Sequence, residues 1–145
     1  MPKLARWFIK AGMIYFLISF IMAVLLKSGG LFQLPTIFMT LQPVYFHLFM
    51  VGWVTQMIIG VSYWFFPRYR KGQPRGREQF GLAAFWLLNA GLVLRIIGEP
   101  MSVVDPGVAA GTMLVLSAVL QWLGGASYVV MIWPRVKSRE LHAER

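Results

Sequence analysis

Hydrophobic residues form four long stretches along the chain, and charged residues lie almost entirely between them. Uncharged runs cover residues 11–26, 28–67, 79–94 and 106–134. A helix that crosses a bilayer needs about 20 predominantly apolar residues, so this spacing indicates one span for each run. We therefore predict an all-α integral membrane protein in which residues 1–145 form a single domain. The four predicted transmembrane helices are Trp7–Leu26, Pro43–Phe66, Phe80–Gly98 and Val108–Trp133.

The composition agrees with this pattern and excludes several kinds of metal site. Of the 145 residues, 58% are hydrophobic and 13% are charged, and the mean hydropathy is +0.64. A soluble domain of this length has too little interior to bury so much apolar surface. Cysteine is absent, which excludes disulfides, thiolate zinc sites, iron–sulfur clusters and covalent attachment of heme through C-x-x-C-H.

The positive charge of the chain predicts its orientation. The formal net charge is +9, and the basic residues fall mainly into three segments, before the first helix, between the second and third, and after the fourth. With four spans these segments lie on one side, which the positive-inside rule assigns to the cytoplasm, together with both termini. We therefore predict a multi-pass protein of the inner, cytoplasmic membrane of the cell, without nucleic-acid binding. The residues concerned are Lys3, Arg6, Lys10, Arg68, Arg70, Lys71, Arg75, Arg77, Arg135, Lys137, Arg139 and Arg145.

Helices two and four share a short polar pattern. Both contain Gln-x-x-x-Gly-x-Ser-Tyr, which begins at Gln56 and at Gln121, and both end at a Pro-Arg pair. The pattern indicates either a weak duplication of a two-helix hairpin or the recurrence of small and polar residues in packed membrane helices. His47 has no counterpart in the second copy, where Thr112 takes its position.

His47 is the one histidine within a predicted span, near the outer end of helix two. An ionisable side chain inside a membrane indicates function by default, because its loss of solvation must be compensated. At helical spacing an apolar face continues from His47, and small residues at intervals of four occupy the roughly opposite face, where another helix can approach closely. The two faces comprise Val51, Val54, Ile58, Val61 and Phe65 on the side of His47, and Gly52, Gln56 and Gly60 on the other.

The residues alone leave three roles open for His47. A neutral imidazole above an apolar wall can bind heme iron through one ring nitrogen. It can also be structural, hydrogen-bonded to a neighbouring backbone group or to a hydroxyl such as that of Thr40 or Tyr45. The third role is a relay for protons or ions.

The rest of helix two favours one of these roles. The residues that distinguish between the three roles of His47 are His47 itself, Gly52, Trp53, Gly60, Pro67 and Arg68. In this order and spacing they resemble the second helix of the catalytic subunit of heme–copper oxidases, and most closely the C-type oxidase and bacterial nitric oxide reductase branch. The resemblance implies that His47 is the axial ligand of a heme b, with one heme per chain.

The remainder of that family's chemistry is missing from this chain. Members of the family carry further histidines for copper or non-heme iron, and the only other histidine here is His142, in the predicted cytoplasmic tail. A binuclear centre that reduces oxygen or nitric oxide is therefore not expected, and no residue is predicted to be catalytic.

Arg95 is the second residue that we expect to bind the cofactor. It lies inside the outer end of helix three, where a guanidinium group needs a partner. The propionates of a heme on His47 would point toward this surface, and a bidentate contact with Arg95 suits them. The rival partner is Glu99, one helical turn later.

The sixth ligand of such an iron stays open. The candidates are a thioether, another protomer or a vacant position, and the thioethers in question are Met113, Met22 and Met101, of which the last is predicted to lie in a loop. Trp53 either flanks the heme edge or packs between helices. The aromatic residues near helix ends are expected to anchor the chain in the membrane interface, namely Trp7, Tyr63, Trp64 and Trp133.

Four helices leave limited room for a macrocycle, and this affects the expected assembly. The twelve helices of the family's subunit form three arcs of four, so the resemblance implies a homotrimer, with docking onto a larger respiratory subunit as the alternative. The predicted function is electron transfer, or a related heme-redox role, in the bilayer. The alternatives are a gas-responsive heme sensor or low-activity redox enzyme, and a heme-free assembly subunit of a respiratory complex.

Overall fold

The computed structural model describes residues 1–32, 38, 41–66 and 77–136, with the backbone alone for residues 29–32. Within these ranges the chain is helical and contains no strand. Helix α1 is Lys3–Phe32, α2 is Gln42–Phe65, α3 is Glu78–Val104 and α4 is Val108–Ile132, and a 3₁₀ turn follows at Trp133–Arg135.

The four predicted helices are all present, which confirms the all-α class for the described residues. Each contains a segment that is long and apolar enough to cross a membrane. Pro43 occupies the first turn of α2, where its missing N–H costs no helical hydrogen bond. These segments are Lys3–Ser28, Gln42–Phe65, Glu78–Val104 and Val108–Arg135.

Several predicted features lie outside the described residues. They belong to the segment before α2, to the connection between α2 and α3, and to the C-terminal tail, and they are Thr40, Pro67, Arg68, Arg70, Lys71, Arg75, Lys137, Arg139, His142 and Arg145. Because the start of α2 contacts Arg95, we call this end of the bundle the Arg95 end. The opposite end, where α3 begins, is the Glu78 end.

Helix α3 is longer than predicted. It continues past Gly98 to Val104, with Pro100 inside its last turns. A proline at this place removes one backbone hydrogen bond close to the helix end, and the Ser102 hydroxyl donates to the Glu99 carbonyl at 2.7 Å. Met101 therefore lies within α3, and its predicted place in a loop is wrong.

The middle of α2 is a π-helix. The segment Gln42–His47 is α-helical, Leu48–Thr55 is π-helical, and Gln56–Phe65 is α-helical again. The Thr55 hydroxyl donates at 2.8 Å to the Met50 carbonyl, five residues earlier, which follows the π-helical spacing. The prediction of one apolar face that continues from His47 assumed an uninterrupted α-helix. Because the π-helical turns contain more residues, the later positions do not keep that register, and the prediction is wrong in this respect. Val51 packs against the buried core, whereas Ile58, Val61 and Phe65 are exposed.

Helix α2 packs against α1 through its small residues, as predicted. A Cβ atom on Gly52 would lie 2.8 Å from the Tyr15 side chain, and one on Gly60 would lie 2.9 Å from Ile9. Real Cβ atoms do not approach other atoms so closely, so larger residues at these two positions would push the helices apart. The small residues thus set the distance between α1 and α2.

Helices α3 and α4 form the second closely packed pair. A Cβ atom on Gly91 would lie 2.7 Å from Gln121, and one on Gly124 would lie 2.8 Å from Leu88. The edge of the Phe8 ring meets the Phe85 ring, with centroids 5.2 Å apart, and joins α1 to α3. The buried core toward the Glu78 end contains Leu4, Ala5, Phe8, Ile59, Tyr63, Ala84, Leu88 and Met131, and a smaller cluster toward the Arg95 end contains Val44, Leu48 and Leu92.

Tyr63 is not the interface anchor that its place near a helix end predicted. It is fully buried, and its hydroxyl donates to Glu78 Oε1 at 3.0 Å. The ring fills the core while the carboxylate satisfies the hydroxyl, which explains how a tyrosine is accommodated there. Trp7, Trp64 and Trp133 are exposed, as an anchor requires.

The two copies of the repeated pattern pack differently. Gly60 touches α1, whereas a Cβ atom on Gly125 would meet nothing within 4 Å. The hydroxyls of Ser62 and Tyr128 lie 2.7 Å apart, so a hydrogen bond joins the first copy to the second. The duplication itself stays a prediction.

Asn89 links three helices inside the bundle. The Tyr15 hydroxyl donates to Asn89 Oδ1 at 2.9 Å, and the amide of the fully buried Gln56 lies 3.3 Å from the same oxygen. Asn89 in turn donates to the Phe85 carbonyl at 2.7 Å. Paired polar groups of this kind fix the relative position of helices whose other contacts are apolar.

Candidate functional site

His47 lies at the last α-helical position before the π segment of α2. Its Nδ1 atom is 2.9 Å from the carbonyl oxygen of Pro43, one turn earlier. A carbonyl oxygen only accepts hydrogen bonds, so Nδ1 carries the ring proton and donates it. In the neutral ring the other nitrogen, Nε2, then keeps its lone pair.

Arg95 of α3 donates to that lone pair. Its Nη2 atom lies 2.8 Å from His47 Nε2, and its Nε atom lies 3.2 Å from it. The Arg95 Nε atom is also 3.3 Å from Glu99 Oε1, which confirms Glu99 as one of the two partners predicted for the arginine. The result is a chain of contacts from the Pro43 carbonyl through His47 and Arg95 to Glu99.

The charges of this chain balance within a partly buried site. The side chains of Arg95 and Glu99 are 19% and 17% exposed, and His47 is half-buried. A charged arginine within an apolar helix is costly unless it is paired, and here a carboxylate and an imidazole nitrogen both face it. The arrangement presents one neutral imidazole and one guanidinium side by side, which are groups that bind a metal and an anion respectively.

The structure brings His47, Arg95 and Glu99 together, and two of the methionine candidates pack at the same end of the bundle. Met22 packs against the smaller buried cluster. A Cβ atom added to Gly98 would lie 3.4 Å from the Cβ atom of Met113. Met101 is part of α3, as described above. The sixth ligand therefore stays an open prediction.

Trp53 packs between helices, which was one of its two predicted roles. Its ring centroid lies 4.4 Å from that of Phe16 in α1 and 4.8 Å from that of Phe49 in α2. Aromatic contacts with both helices hold the indole in this position. The ring therefore helps to attach α2 to α1.

One partner of His47 is of a predicted kind, and the other was missed from the sequence. The Pro43 carbonyl is a neighbouring backbone group, which was one of the predicted options, and the spacing of four residues was the signal that could have identified it. The direct contact between His47 and Arg95 was missed, because hydropathy does not say which helices are neighbours.

Comparisons of this chain with protein-family models, with curated proteins and with solved structures found no match. The resemblance to the heme–copper oxidase subunit therefore stays a prediction from the sequence pattern of residues 47–68.

Proposed function

We propose that this chain is a multi-pass protein of the cytoplasmic membrane that binds one heme b through His47 Nε2 and transfers electrons. One observation carries the proposal, namely the 2.9 Å contact between His47 Nδ1 and the Pro43 carbonyl. A histidine that binds a metal commonly donates its other ring N–H to a backbone carbonyl or a carboxylate, which fixes the tautomer and the ring orientation. His47 meets this requirement on a membrane-length helix.

The donor set suits an iron porphyrin better than a bare metal ion. A bare ion takes several protein ligands, and within the described ranges no three His, Cys, Asp or Glu side chains come together. A porphyrin supplies most of the ligands of its own iron, so one imidazole is sufficient on one side. When bound, the heme supplies a one-electron couple between ferric and ferrous iron.

Arg95 has to leave Nε2 before iron can bind there, because a single lone pair cannot serve both partners. The guanidinium has five N–H donors in a planar fork, and Glu99 remains at 3.3 Å to hold it near the site. A heme propionate offers the carboxylate that the freed donors prefer. We therefore assign to Arg95 the binding of a propionate.

The proposed assembly and orientation follow from exposed groups. The positive-inside rule directs the Glu78 end, with Lys3, Arg6 and Lys10, to the cytoplasm. Beside His47, the side chains of Phe46 and Met50 are 51% and 53% exposed. A flat apolar cofactor next to them gains cover from a further chain, and the three arcs of four helices in the family that the chain resembles lead us to favour a homotrimer, with a larger respiratory subunit as the alternative.

A heme-free role is the second candidate, and a specific observation favours it. His47 already has a partner on each ring nitrogen, and Arg95 already has its carboxylate. Such a chain needs no cofactor to compensate the burial of its polar groups. In that case the chain of contacts serves to attach α3 to α2, as expected for an assembly subunit.

A reduced-minus-oxidised absorption spectrum of the purified, heme-supplied protein separates these functions. We expect a heme b spectrum in the wild type and its loss in His47→Ala, because the axial ligand is gone. Thr112→Ala is the matched control, since it removes a polar group from the corresponding helix position without touching the site. A wild type without heme, or His47→Ala with unchanged heme content, contradicts the proposal.

Carbon monoxide then distinguishes the two heme-dependent functions. An electron carrier with two axial ligands binds the gas weakly, whereas a gas sensor with a vacant sixth position binds it readily. The spectrum of the reduced protein with and without carbon monoxide is the measurement. Rapid and complete conversion to the carbon monoxide form favours the sensor over the electron carrier.

A further inference from the structure

Lys27 lines a cleft between the C-terminal part of α1 and the start of α2. The cleft has a volume of about 370 Å³ and is lined by Ala23, Leu26, Lys27, Gln42, Tyr45 and Phe46. Three of these side chains carry hydrogen-bond donors, an ammonium, an amide and a phenol. The other three are apolar, so the cleft is amphipathic.

A second depression adjoins the cleft along the surface of α1. It has a volume of about 440 Å³, and its lining shares Ala23 and Lys27 with the cleft. Its remaining walls include Phe20 and Val24, both of which are well exposed. The two depressions together give an apolar surface on either side of Ala23 with one cation common to both.

The ammonium of Lys27 is exposed at the Arg95 end. In the part of the chain that the structure describes, no carboxylate lies within ion-pair distance of it, while Arg95 at the same end is paired with Glu99. The neighbouring Ser28 hydroxyl donates to the Leu25 carbonyl at 3.0 Å and so is already satisfied. Among the described residues, Lys27 is thus a cation at this surface without a carboxylate partner and can receive an anion.

We propose that this surface binds an anionic phospholipid, with its phosphate at Lys27 and an acyl chain over Ala23. A lysine at the end of an apolar span extends its ammonium to the depth of the lipid headgroups. Gln42 and Tyr45 line the same cleft and can donate further hydrogen bonds to the phosphate or glycerol oxygens. The apolar walls at Phe20, Val24 and Phe46 face acyl chains, which a free phosphate does not have. The proposal requires membrane insertion, and its cation, Lys27, is not among the residues assigned to the heme, although Phe46 borders both sites.

Native mass spectrometry of the full-length protein tests the site. The detergent-purified chain is mixed with phosphatidylglycerol or with phosphatidylethanolamine of the same acyl chains, and the retained lipid is counted. We expect phosphatidylglycerol to be retained preferentially, and Lys27→Gln to weaken its retention about fivefold, the effect typical of one basic residue near a membrane surface. Lys27→Arg should retain it.

Two controls keep the interpretation specific. Lys10→Gln makes the same change of charge at an exposed position of α1 far from the cleft, and it should leave lipid retention unchanged. Ala23→Trp places a bulky side chain at a residue that lines both the cleft and the second depression. It should lower the retention of phosphatidylglycerol without a change of charge. The heme spectrum of Lys27→Gln should match the wild type, so failure of either proposal is recognised separately.

Three outcomes overturn the lipid site. The first is equal retention of both lipids by the wild type, and the second is an equal loss in Lys10→Gln and Lys27→Gln, which would indicate the overall charge. The third is displacement of the lipid by millimolar glycerol phosphate, which would indicate a site for the free anion. Unchanged helical content in circular dichroism ensures that each variant is compared in its folded state.

Discussion

Two arginines inside this bundle are stabilised in different ways. Arg135, at the Glu78 end, is 2% exposed and donates to the backbone carbonyls of Tyr63 at 3.1 Å and of Phe66 at 2.7 Å. Its guanidinium also lies over the Tyr63 ring, 5.5 Å from the centroid. Arg95, at the other end, contacts the side chains of His47 and Glu99.

The difference indicates which cation can change partners. The carbonyls that Arg135 satisfies belong to the last turn of α2 and to Phe66 directly after it, where carbonyls have no helical partner, so its release would leave acceptors unpaired. The partners of Arg95 are two side chains that can rotate and find other donors, and the site is partly exposed. Arg135 is therefore a fixed structural link, whereas Arg95 is suited to exchange its imidazole for another acceptor.

Replacement of Arg135 should give the largest effect on stability. We expect Arg135→Ala to lower the free energy of unfolding by about 3 kcal/mol, because hydrogen bonds to a charged donor are lost inside the protein. Thermal or denaturant unfolding in detergent measures this change. Arg77→Ala is the control, since Arg77 is exposed just before α3. Equal stability of the two variants would show that the carbonyl contacts of Arg135 contribute little.

Removal of the Arg95 guanidinium should affect access to His47 more than stability. We expect Arg95→Gln to change the free energy of unfolding by about 1 kcal/mol or less, as polar contacts between membrane helices typically do. The uncovered Nε2 should react several-fold faster with diethyl pyrocarbonate. Peptide mass spectrometry reads the modification at His47 separately from that at His142 and requires no bound heme. An unchanged rate at His47 would mean that Arg95 does not cover Nε2 in solution.

Much of the architecture was predictable because hydropathy acts over whole helices. The uncharged runs identified the four long apolar helices, and the spacing of Gly52 and Gly60 identified the side of α2 that meets α1. The pair of Arg95 and Glu99 followed from their separation of one helical turn. Each of these features depends on residues close together in the sequence.

The features that were not predicted depend on contacts between distant residues. The π segment at Leu48–Thr55 changes the register below His47, and the mean hydropathy of a run does not encode such a shift. Arg135 was counted among the cytoplasmic charges, since an arginine after Pro134 has the pattern of a surface residue. Its burial depends on α2 ending beside α4, and the burial of Tyr63 depends on the same packing.

Glu99 should give the smallest effect and the sharpest test of how Arg95 divides its contacts. Glu99→Gln keeps an acceptor oxygen but removes the charge, so we expect the free energy of unfolding to fall by about 0.5 kcal/mol, as for other partly exposed ion pairs. Asp105→Asn, at an exposed position after α3, should change stability less. The neutral amide oxygen attracts the guanidinium less than the carboxylate does, so Arg95 should stay longer at His47 Nε2, and modification of His47 by diethyl pyrocarbonate should become slower. Faster modification would mean that Glu99 holds Arg95 over the imidazole, and in that case the carboxylate positions the arginine instead of competing for it.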